Sequence, residues 1–425
     1  MIPNLTQEAI SRIFGSARDK GLVREEDTSL IFQDLDLLCQ RTELLRSVFP
    51  TSTLHAIAMK ANPLVRILEI LNDNELGVEV ASFGELGIAL KTGYPPEKIV
   101  FDSPAKTLQE IAFALEAGVH INIDSLTELD RVAQLKKTIR SKSTVGIRIN
   151  PQVGIGSIAE SSVAGEYSKF GIPFKTKKDE LTAAFDKYEW LNGVHLHVGS
   201  QGCPMEMLIR GIGVLYEFAL SVNRKHGMDR IRLFDIGGGL PISYHQDKTP
   251  VSMAAYAAAI REHFPLLFSD HFSLITEFGR WAHVNAGWTV SRVEYVKKDP
   301  GINTLMLHAG ADLFLRECLL PGTWPHEYSV MDPDGKLRSG KDPVPYNLAG
   351  PLCFSGDIIA KSVTLPRVEE GDLLAIHDTG GYTLSMWSRY NSRQIPRVIG
   401  YRQEGSFFEI LRERETVEEL YNFWK

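Results

Sequence analysis

The sequence predicts an α/β protein in which a (β/α)8 barrel is combined with a second, mainly β domain. The chain has 425 residues, which exceeds the usual size of one domain and leaves room for a barrel of about 250 residues. From about residue 50 to residue 285, short apolar runs alternate with amphipathic stretches. This alternation is typical of parallel strands connected by helices.

The barrel is expected over residues 40–285. Its predicted strands lie at residues 55–60, 99–101, 119–124, 145–150, 193–197, 231–236 and 273–277. In such barrels the chemistry gathers at the C-terminal ends of the strands. Polar residues and a glycine fall at those ends: Lys60, Glu79, Asp124, Arg148, His197, Gly237 and Glu277. The barrel mouth is therefore the predicted site.

The mainly β domain, similar to a β-sandwich or β-barrel, is expected over residues 1–39 and 286–425. Strand-like runs at residues 288–295, 373–377 and 406–411 are separated by segments with Gly and Pro. Residues 28–34 also have a strand pattern and precede a helical pattern at 36–48. We therefore assign the N-terminal segment to the β domain.

Composition excludes several classes of function. Hydrophobic residues make up 44% of the chain and charged residues 23%, as in globular proteins, and the net charge of -7 offers no basic surface for nucleic acid. The sequence shows neither a signal-peptide pattern nor an apolar run that could span a bilayer. We expect a cytoplasmic protein without nucleic-acid or membrane partners. The four cysteines are scattered and predict no disulfide framework.

Lys60 is the first candidate for chemistry. It ends an apolar strand pattern and is followed by Ala-Asn-Pro63, which stops the strand. A lysine at the mouth of an apolar strand can lose its proton and condense with an aldehyde. Taken alone, these residues favour a lysine that only caps a strand end, and the rest of the chain changes that balance.

Two further motifs follow predicted strands. Gly237-Gly-Gly239 allows backbone N–H groups to approach an anion such as phosphate, or forms only a tight turn. It matches neither a Walker loop nor a dinucleotide fingerprint. Glu277-Phe-Gly-Arg280 offers a carboxylate that could keep a ring nitrogen protonated and an arginine for phosphate, or is a surface ion pair.

The pair His195-Leu-His197 has two interpretations. Alternate residues of a strand share a face, so the two imidazoles could bind zinc in a barrel hydrolase. Alternatively, one ring stacks on an aromatic cofactor and the other packs structurally. Zinc hydrolases of that kind place the pair on the first strand, whereas here it follows Lys60 and lies late in the barrel. We expect no metal.

In this order, the motifs resemble those of the fold type III pyridoxal phosphate-dependent decarboxylases, the group that contains the diaminopimelate, ornithine and arginine decarboxylases. The resemblance extends from about residue 28 to about residue 400. Its pieces are Met59-Lys60-Ala-Asn-Pro63, Gly77-Val-Glu79-Val-Ala-Ser-Phe-Gly-Glu85, His195-Leu-His197-Val-Gly-Ser-Gln201, Gly237-Gly-Gly239, Glu277-Phe-Gly-Arg280, Cys353-Phe-Ser-Gly-Asp357 and Gly380-Gly-Tyr382.

The resemblance implies pyridoxal phosphate as cofactor, the alanine racemase/ornithine decarboxylase-like fold and a role for each matching residue. Lys60 would attach the cofactor, His197 would stack on its ring, and Glu277 would pair with the ring nitrogen. Alanine racemase pairs that nitrogen with arginine, so Glu277 argues against racemisation. The phosphate would be held by Ser200, Gly237, Gly238, Gly239, Gly279, Arg280 and Tyr382, with Glu79 and Arg148 near Lys60 and the ring.

By the same resemblance, Cys353 would return a proton to Cα after carbon dioxide has left, a role that suits a thiol near neutral pH. In the relatives this cysteine loop reaches the active site of the neighbouring subunit, which implies a head-to-tail homodimer with shared sites. Arg316, Phe354 and Asp357 would contact the small amino-acid substrate.

The departures from the family pattern concern the substrate. Diaminopimelate and ornithine decarboxylases have an acidic residue after the catalytic cysteine that holds a distal ammonium group, and here Phe354 takes that position. Arg316-Glu-Cys-Leu-Leu320 keeps the arginine of an Arg-Pro-x-Leu-Tyr motif but loses the tyrosine. We expect an amino-acid decarboxylase whose substrate is not a free diamino acid. The alternatives are a zinc-dependent barrel hydrolase and a catalytically inactive, cofactor-binding regulator.

Overall fold

A computed structural model of the protein describes residues 5–227, 229–244, 250–340 and 342–425. The strands in these residues are β1 (Ser29–Asp34), β2 (Leu54–Ala58), β3 (Gly77–Val80), β4 (Ile99–Asp102), β5 (His120–Ile123), β6 (Val145–Asn150), β7 (Ile172–Pro173), β8 (Leu191–His195), β9 (Leu233–Asp235), β10 (Ser273–Thr276), β11 (Gly287–Asp299), β12 (Ile302–Leu307), β13 (Tyr328–Met331), β14 (Val344–Ala349), β15 (Ile358–Leu365), β16 (Leu373–Ile376), β17 (Arg397–Arg402) and β18 (Phe407–Arg412).

The α-helices in the same residues are α1 (Gln7–Asp19), α2 (Leu35–Val48), α3 (Val65–Asp73), α4 (Phe83–Lys91), α5 (Leu108–Ala117), α6 (Leu126–Leu135), α7 (Phe174–Lys187), α8 (Met205–His226), α9 (Met253–His263), α10 (Gly279–His283), α11 (Leu315–Leu319) and α12 (Val417–Trp424). No helix in this described part of the chain is both long and apolar enough to cross a membrane.

The described residues divide into two compact units. The first contains Arg41–Ile242 and Pro250–Ala282. The second contains the described residues up to Gln40, then Ser243 and Tyr244, and the described residues from His283 onward.

The first unit is a closed barrel of eight parallel strands, as predicted. The strands run in the order β2, β3, β4, β5, β6, β8, β9 and β10, and β10 pairs with β2 to close the ring. Strands β3, β4 and β5 are buried along their whole length, because the barrel interior covers one face and the helices cover the other. Ser82, Thr107, Ser125 and Ser252 accept backbone N–H bonds at the starts of α4, α5, α6 and α9 and so define where these helices begin.

The second unit is mainly β, as predicted, and is built on a mainly antiparallel sheet. Its strands follow the order β15, β14, β12, β11, β1, β17 and β18, and β16 joins β11 to β13. The N-terminal strand β1 lies between β11 and β17. Phe32 of β1 stacks on Trp288 of β11 with ring centroids 4.2 Å apart, and α1 packs Ile10, Ile13 and Phe14 against the same core.

A buried ion pair ties the N-terminal segment to this sheet. Arg397 Nη1 lies 2.9 Å from Asp27 Oδ2, and the two side chains are 1% and 0% exposed. The same nitrogen donates to the carbonyl of Leu22. Removing one partner of such a pair leaves an uncompensated buried charge.

We expect Arg397→Met to destabilise the protein by about 3–5 kcal/mol, because Asp27 would remain buried without its cation. The measurement is the midpoint of urea unfolding followed by circular dichroism. Arg12→Met is the matched control, since Arg12 and Glu404 form an ion pair with 54% and 79% of the side chains exposed and should cost about 1 kcal/mol or less. Equal midpoints for the two variants would contradict the prediction.

Candidate active site

The barrel strands end at one mouth, where charged side chains of opposite sign meet. Strand pairing brings these side chains together. Ala58, at the end of β2 and two residues before Lys60, lies beside Glu79 of β3. Arg148 of β6 lies beside His195 of β8, and His195 lies beside Asp235 of β9. Because the strands are parallel, all these ends point the same way.

Lys60 lies in a 3₁₀ turn, Met59–Ala61, directly after β2. Its Nζ donates to Glu79 Oε2 at 2.6 Å. Glu79 is fully buried, and burial raises its pKa to about 8. The attraction of Lys60 opposes this rise, whereas repulsion from Glu277 and Asp102 adds to it. A carboxyl group that can hold or release a proton near neutral pH therefore lies beside the lysine nitrogen.

Arg148 makes its ionic contacts with two carboxylates. Its Nη1 donates to Asp102 Oδ2 at 2.8 Å, and its Nε lies 3.8 Å from Asp124 Oδ1. The guanidinium also lies over the ring of Phe170 at 4.7 Å. Burial raises the pKa of Asp102, but the attraction of Arg148 and then of His195 outweighs it and holds that pKa well below its usual value.

The two histidines of the predicted pair have different surroundings. His195 ends β8 and is fully buried, with Nε2 at 3.7 Å from Glu277 Oε2 and Nδ1 at 3.8 Å from Asp102 Oδ1. His197 lies beyond the strand and accepts a hydrogen bond from the backbone N–H of Gly238 at its Nδ1. Burial, followed by the charge of Arg148, lowers the pKa of His197 far below its usual value, so this ring is neutral.

The glycine loop after β9 packs against the loops after β8 and β10. Gly237 and Gly239 have φ values of 63° and 103°, which favour glycine. A Cβ on Gly238 would collide with the carbonyl of Glu277 and one on Gly239 with the carbonyl of Gly199. These contacts require a backbone without side chains at both positions.

Ser200 and Arg280 lie at the same end of the barrel. Arg280 Nε donates to Ser200 Oγ at 2.8 Å. Gly279, next to Arg280, packs so closely that a Cβ there would lie 2.8 Å from Ala58 Cβ. Backbone N–H groups, a hydroxyl group and a guanidinium are a suitable donor set for a phosphate group.

The Glu277 carboxylate can accept a hydrogen bond from a ligand. The residue is 5% exposed, and its Oε1 has no hydrogen-bond partner among the residues that the structure describes. Burial raises the pKa of Glu277, but the nearby His195 outweighs that effect and lowers it. An ionised, buried carboxylate with an unsatisfied oxygen is costly, and a protonated ring nitrogen would satisfy it. The site therefore fits pyridoxal phosphate.

The remaining predicted site residues belong to the mainly β unit. Cys353 is exposed, and its loop is held by two contacts: Asn391 Oδ1 accepts from the Cys353 N–H at 2.7 Å, and the Tyr390 hydroxyl donates to the Cys353 carbonyl at 3.1 Å. Phe354 is 45% exposed and lies edge-on to the ring of Tyr390. The loop thus presents a thiol and an aromatic ring on the surface of the chain.

Arg316 lies in the interior of the same unit. Its guanidinium lies 4.6 Å from the ring of Trp324 and 5.4 Å from that of Tyr382, and its Nη2 donates to Glu317 Oε1 at 3.2 Å. Nε and Nη1 are buried without a hydrogen-bond partner in the described part of the chain. Two donors of a buried cation are therefore available for an anion.

Asp357 has contacts that do not support a role in substrate binding. Its Oδ1 accepts the backbone N–H of Ala311 and its Oδ2 that of Leu352, both at 2.6 Å. A Cβ on Gly350 would collide with the same carboxylate. Asp357 thus anchors the base of the cysteine loop, and its predicted contact with substrate stays untested.

Sequence reasoning missed the polar side chains inside the barrel. Asp102, His120 and Asn122 were not selected as site residues, although each interrupts an otherwise apolar strand pattern. Asn122 Nδ2 donates to Asp235 Oδ2 at 3.1 Å, which places it next to the charged cluster. A polar residue in a fully buried strand was the available signal, because such a residue needs a buried partner.

Comparison with known families identifies the family of the chain. Residues 35–283 match the family model described as "Pyridoxal-dependent decarboxylase, pyridoxal binding domain". The match covers more than half of the chain, so the protein belongs to the pyridoxal-dependent decarboxylases. It is a carboxy-lyase that acts on an amino acid, and its cofactor is pyridoxal phosphate.

Within this family the chain is similar to diaminopimelate decarboxylases. That of Helicobacter pylori is 31% identical over 404 residues, which are 94% of this chain and 96% of that protein. That of Pseudomonas aeruginosa is 33% identical over 371 residues, with 86% and 84% covered. The crystal structure of the Helicobacter pylori enzyme complexed with L-lysine has a TM-score of 0.83 at 29% identity and covers 96% of this chain and 99% of that one.

Proposed function

We propose that the protein removes the α-carboxylate of an amino acid whose distal end is anionic and carries no free ammonium group. The observation that carries the proposal is the buried Arg316 guanidinium with two unpartnered nitrogens among the described residues, in a chain that has Phe354 where the resemblance places a carboxylate. Arginine is well suited to a carboxylate, whereas an aromatic ring leaves a distal ammonium group without an anionic partner.

At the barrel mouth, Lys60 is proposed to attach the cofactor, with Glu79 exchanging a proton beside it. Bound pyridoxal phosphate supplies a ring that accepts the electron pair left on Cα when carbon dioxide departs. Glu277 would keep the ring nitrogen protonated, and the neutral imidazole of His197 would lie against the ring face. The donors proposed for the phosphate are Ser200, Gly237, Gly238, Gly239, Gly279 and Arg280, and Tyr382 joins them on the strength of the resemblance alone.

Cys353 is proposed to return a proton to Cα in the active site of a second subunit. Support comes from its exposure and from the exposed ring of Phe354 next to it, because a loop that carries both is suited to burial against a partner. A head-to-tail homodimer with shared sites follows from this proposal. The predicted domain division at residues 40–285 and the cytoplasmic location remain predictions.

A zinc hydrolase is not favoured. Asp102, His195 and Glu277 could together offer three metal ligands, but a metal binds the neutral imidazole. Burial lowers the pKa of His195, yet Asp235, Asp102 and Glu277 outweigh burial and raise it to about 9. The family match over residues 35–283, which is to pyridoxal-dependent decarboxylases, is what disfavours a metal hydrolase.

The attachment site is tested by borohydride reduction of the cofactor-loaded enzyme and peptide mapping. We expect the pyridoxyl group on Lys60 and no turnover by Lys60→Ala. Lys106 is the matched comparison, since it is a fully buried barrel lysine, 2.8 Å from Glu128, and should stay unmodified. A pyridoxyl group on any lysine other than Lys60 would refute the assignment.

Shared sites are tested by subunit mixing. Lys60→Ala and Cys353→Ala should each be inactive or nearly so, whereas mixed dimers contain one site with both residues intact. Mixing should therefore restore up to about a quarter of wild-type activity if subunits exchange at random and each of the two sites works independently. Subunit exchange is verified with affinity-tagged chains. Verified exchange without recovered activity would exclude a shared site.

Substrate preference is tested with a pair of substrates that differ in one group. 2-Aminopimelate has the carbon chain and both carboxylates of meso-diaminopimelate but lacks the distal ammonium group. We expect the wild-type kcat/KM for 2-aminopimelate to be at least about tenfold higher than that for meso-diaminopimelate. The reason is that an unpaired buried ammonium group costs more than about 1.4 kcal/mol.

Phe354→Glu should reverse this preference, and Phe354→Leu, which adds no charge, should keep it. Carbon dioxide release is the measurement. The proposal would be contradicted if free lysine, ornithine or meso-diaminopimelate were turned over at least as efficiently as every acidic or apolar amino acid tested. Another group would then hold the distal amine.

A further inference from the structure

We propose that His195 is a positioning residue: a buried imidazolium between Glu277 and Asp102 that keeps the Glu277 carboxylate ionised for the ring nitrogen of pyridoxal phosphate. The inference rests on the proposed role of Glu277 and adds a residue that the sequence had assigned either to a metal or to structural packing.

The position of the ring favours a charged imidazole. Its two nitrogens face different carboxylates, at 3.7 Å and 3.8 Å, and neither nitrogen has a hydrogen-bond partner in the described residues. A neutral imidazole has one N–H and one lone pair. Its lone pair would then face a carboxylate, which is repulsive, whereas an imidazolium presents an N–H to both.

The surrounding charges agree with this arrangement. Asp102 is already paired with Arg148, and Lys60 is paired with Glu79, so each has another ionic partner. Asp235 lies beside His195 on the neighbouring strand, and its attraction is the largest of those that raise the pKa of His195. The nearest cation to Glu277 in these contacts is therefore His195.

His120 shows how a buried histidine behaves when its two ring nitrogens face neutral side chains. Its Nδ1 is 2.7 Å from Thr144 Oγ1 and its Nε2 is 3.0 Å from Asn122 Oδ1. Burial lowers the pKa of His120 to about 4. The same residue type in the same barrel is thus neutral, which makes His120 a matched control.

The test compares two cofactors that differ only at the ring nitrogen. Full-length enzyme is freed of cofactor and titrated with pyridoxal phosphate and with its 1-deaza analogue, in which carbon replaces that nitrogen. Wild-type enzyme should bind pyridoxal phosphate at least about tenfold more tightly than the 1-deaza analogue, because the analogue cannot form the charge-assisted hydrogen bond to Glu277. Without any preference in wild-type, the proposed role of Glu277 itself fails.

In His195→Gln the preference should fall by about tenfold, because Glu277 becomes easier to protonate. His120→Gln should keep it. A structural defect weakens binding of both cofactors equally and leaves their ratio unchanged. Thus an unchanged ratio in His195→Gln, beside a clear preference in wild-type, overturns the role of His195 while leaving that of Glu277 intact.

A second test uses the wild-type chain alone, so it does not depend on the folding of a variant. In cofactor-free protein with ¹⁵N-labelled histidine, an imidazolium signal should persist at pH 8 and disappear as the pH rises through about 9. The sign follows from a pKa raised above the usual value of about 6.5, since the charge is present below the raised pKa and lost above it. The absence of any imidazolium signal at pH 8 would overturn the proposal.

Discussion

The charged cluster at the barrel mouth depends on one constraint, that each buried charge must have an opposite charge within reach. Isolated ions in a protein interior cost several kcal/mol each, and this barrel mouth contains several carboxylates. Lys60 forms an ion pair with Glu79, Arg148 forms one with Asp102, and His195 lies near Glu277. The cations are not exchangeable, because Arg148 meets its carboxylate as a permanently charged fork whereas His195 owes its charge to its neighbours.

This balance gives two glutamates in one cluster opposite behaviour. Burial dominates at Glu79, whose pKa rises to about 8. At Glu277 burial also raises the pKa, but the two contributions of the nearby His195 outweigh it, and the pKa falls below its usual value. One carboxyl can therefore exchange a proton near neutral pH while the other remains an anion. Such a difference between paired groups assigns acid–base and electrostatic roles without any change of residue type.

The repeating parts of the fold were predictable from the sequence because they depend on local pattern. The run at residues 145–150 coincides with β6, and the run at 119–124 contains β5. The first strand was predicted to reach Lys60 but ends at Ala58, where a 3₁₀ turn takes over. The histidine strand was predicted to reach residue 197 but ends at His195, and His197 then contacts Gly238 instead of sharing a strand face with its neighbour.

Long-range charge pairing was the part that the sequence could not reveal. Asp102 meets Arg148 across 46 positions of the chain, and nothing near either residue in sequence indicates the other. The motifs, by contrast, are contiguous, which is why residues as far apart as Lys60 and Arg280 could be selected by their order alone. His195 illustrates the limit. Its motif was recognised, but its charge depends on carboxylates delivered by three other strands.

The two groups of site residues are therefore under different physical constraints. In the barrel, a substitution at Asp102, Arg148 or His195 changes the charge balance of its neighbours, so single changes are coupled. In the mainly β unit, Phe354 lies on an exposed loop whose hydrogen-bonded attachment uses the backbone of Cys353, while the Phe354 ring packs edge-on against Tyr390. A change at Phe354 can alter the charge presented to a substrate without disturbing that attachment. Substrate preference can thus change independently of the cofactor site, and this independence is what the proposed preference for a substrate without a distal ammonium group requires.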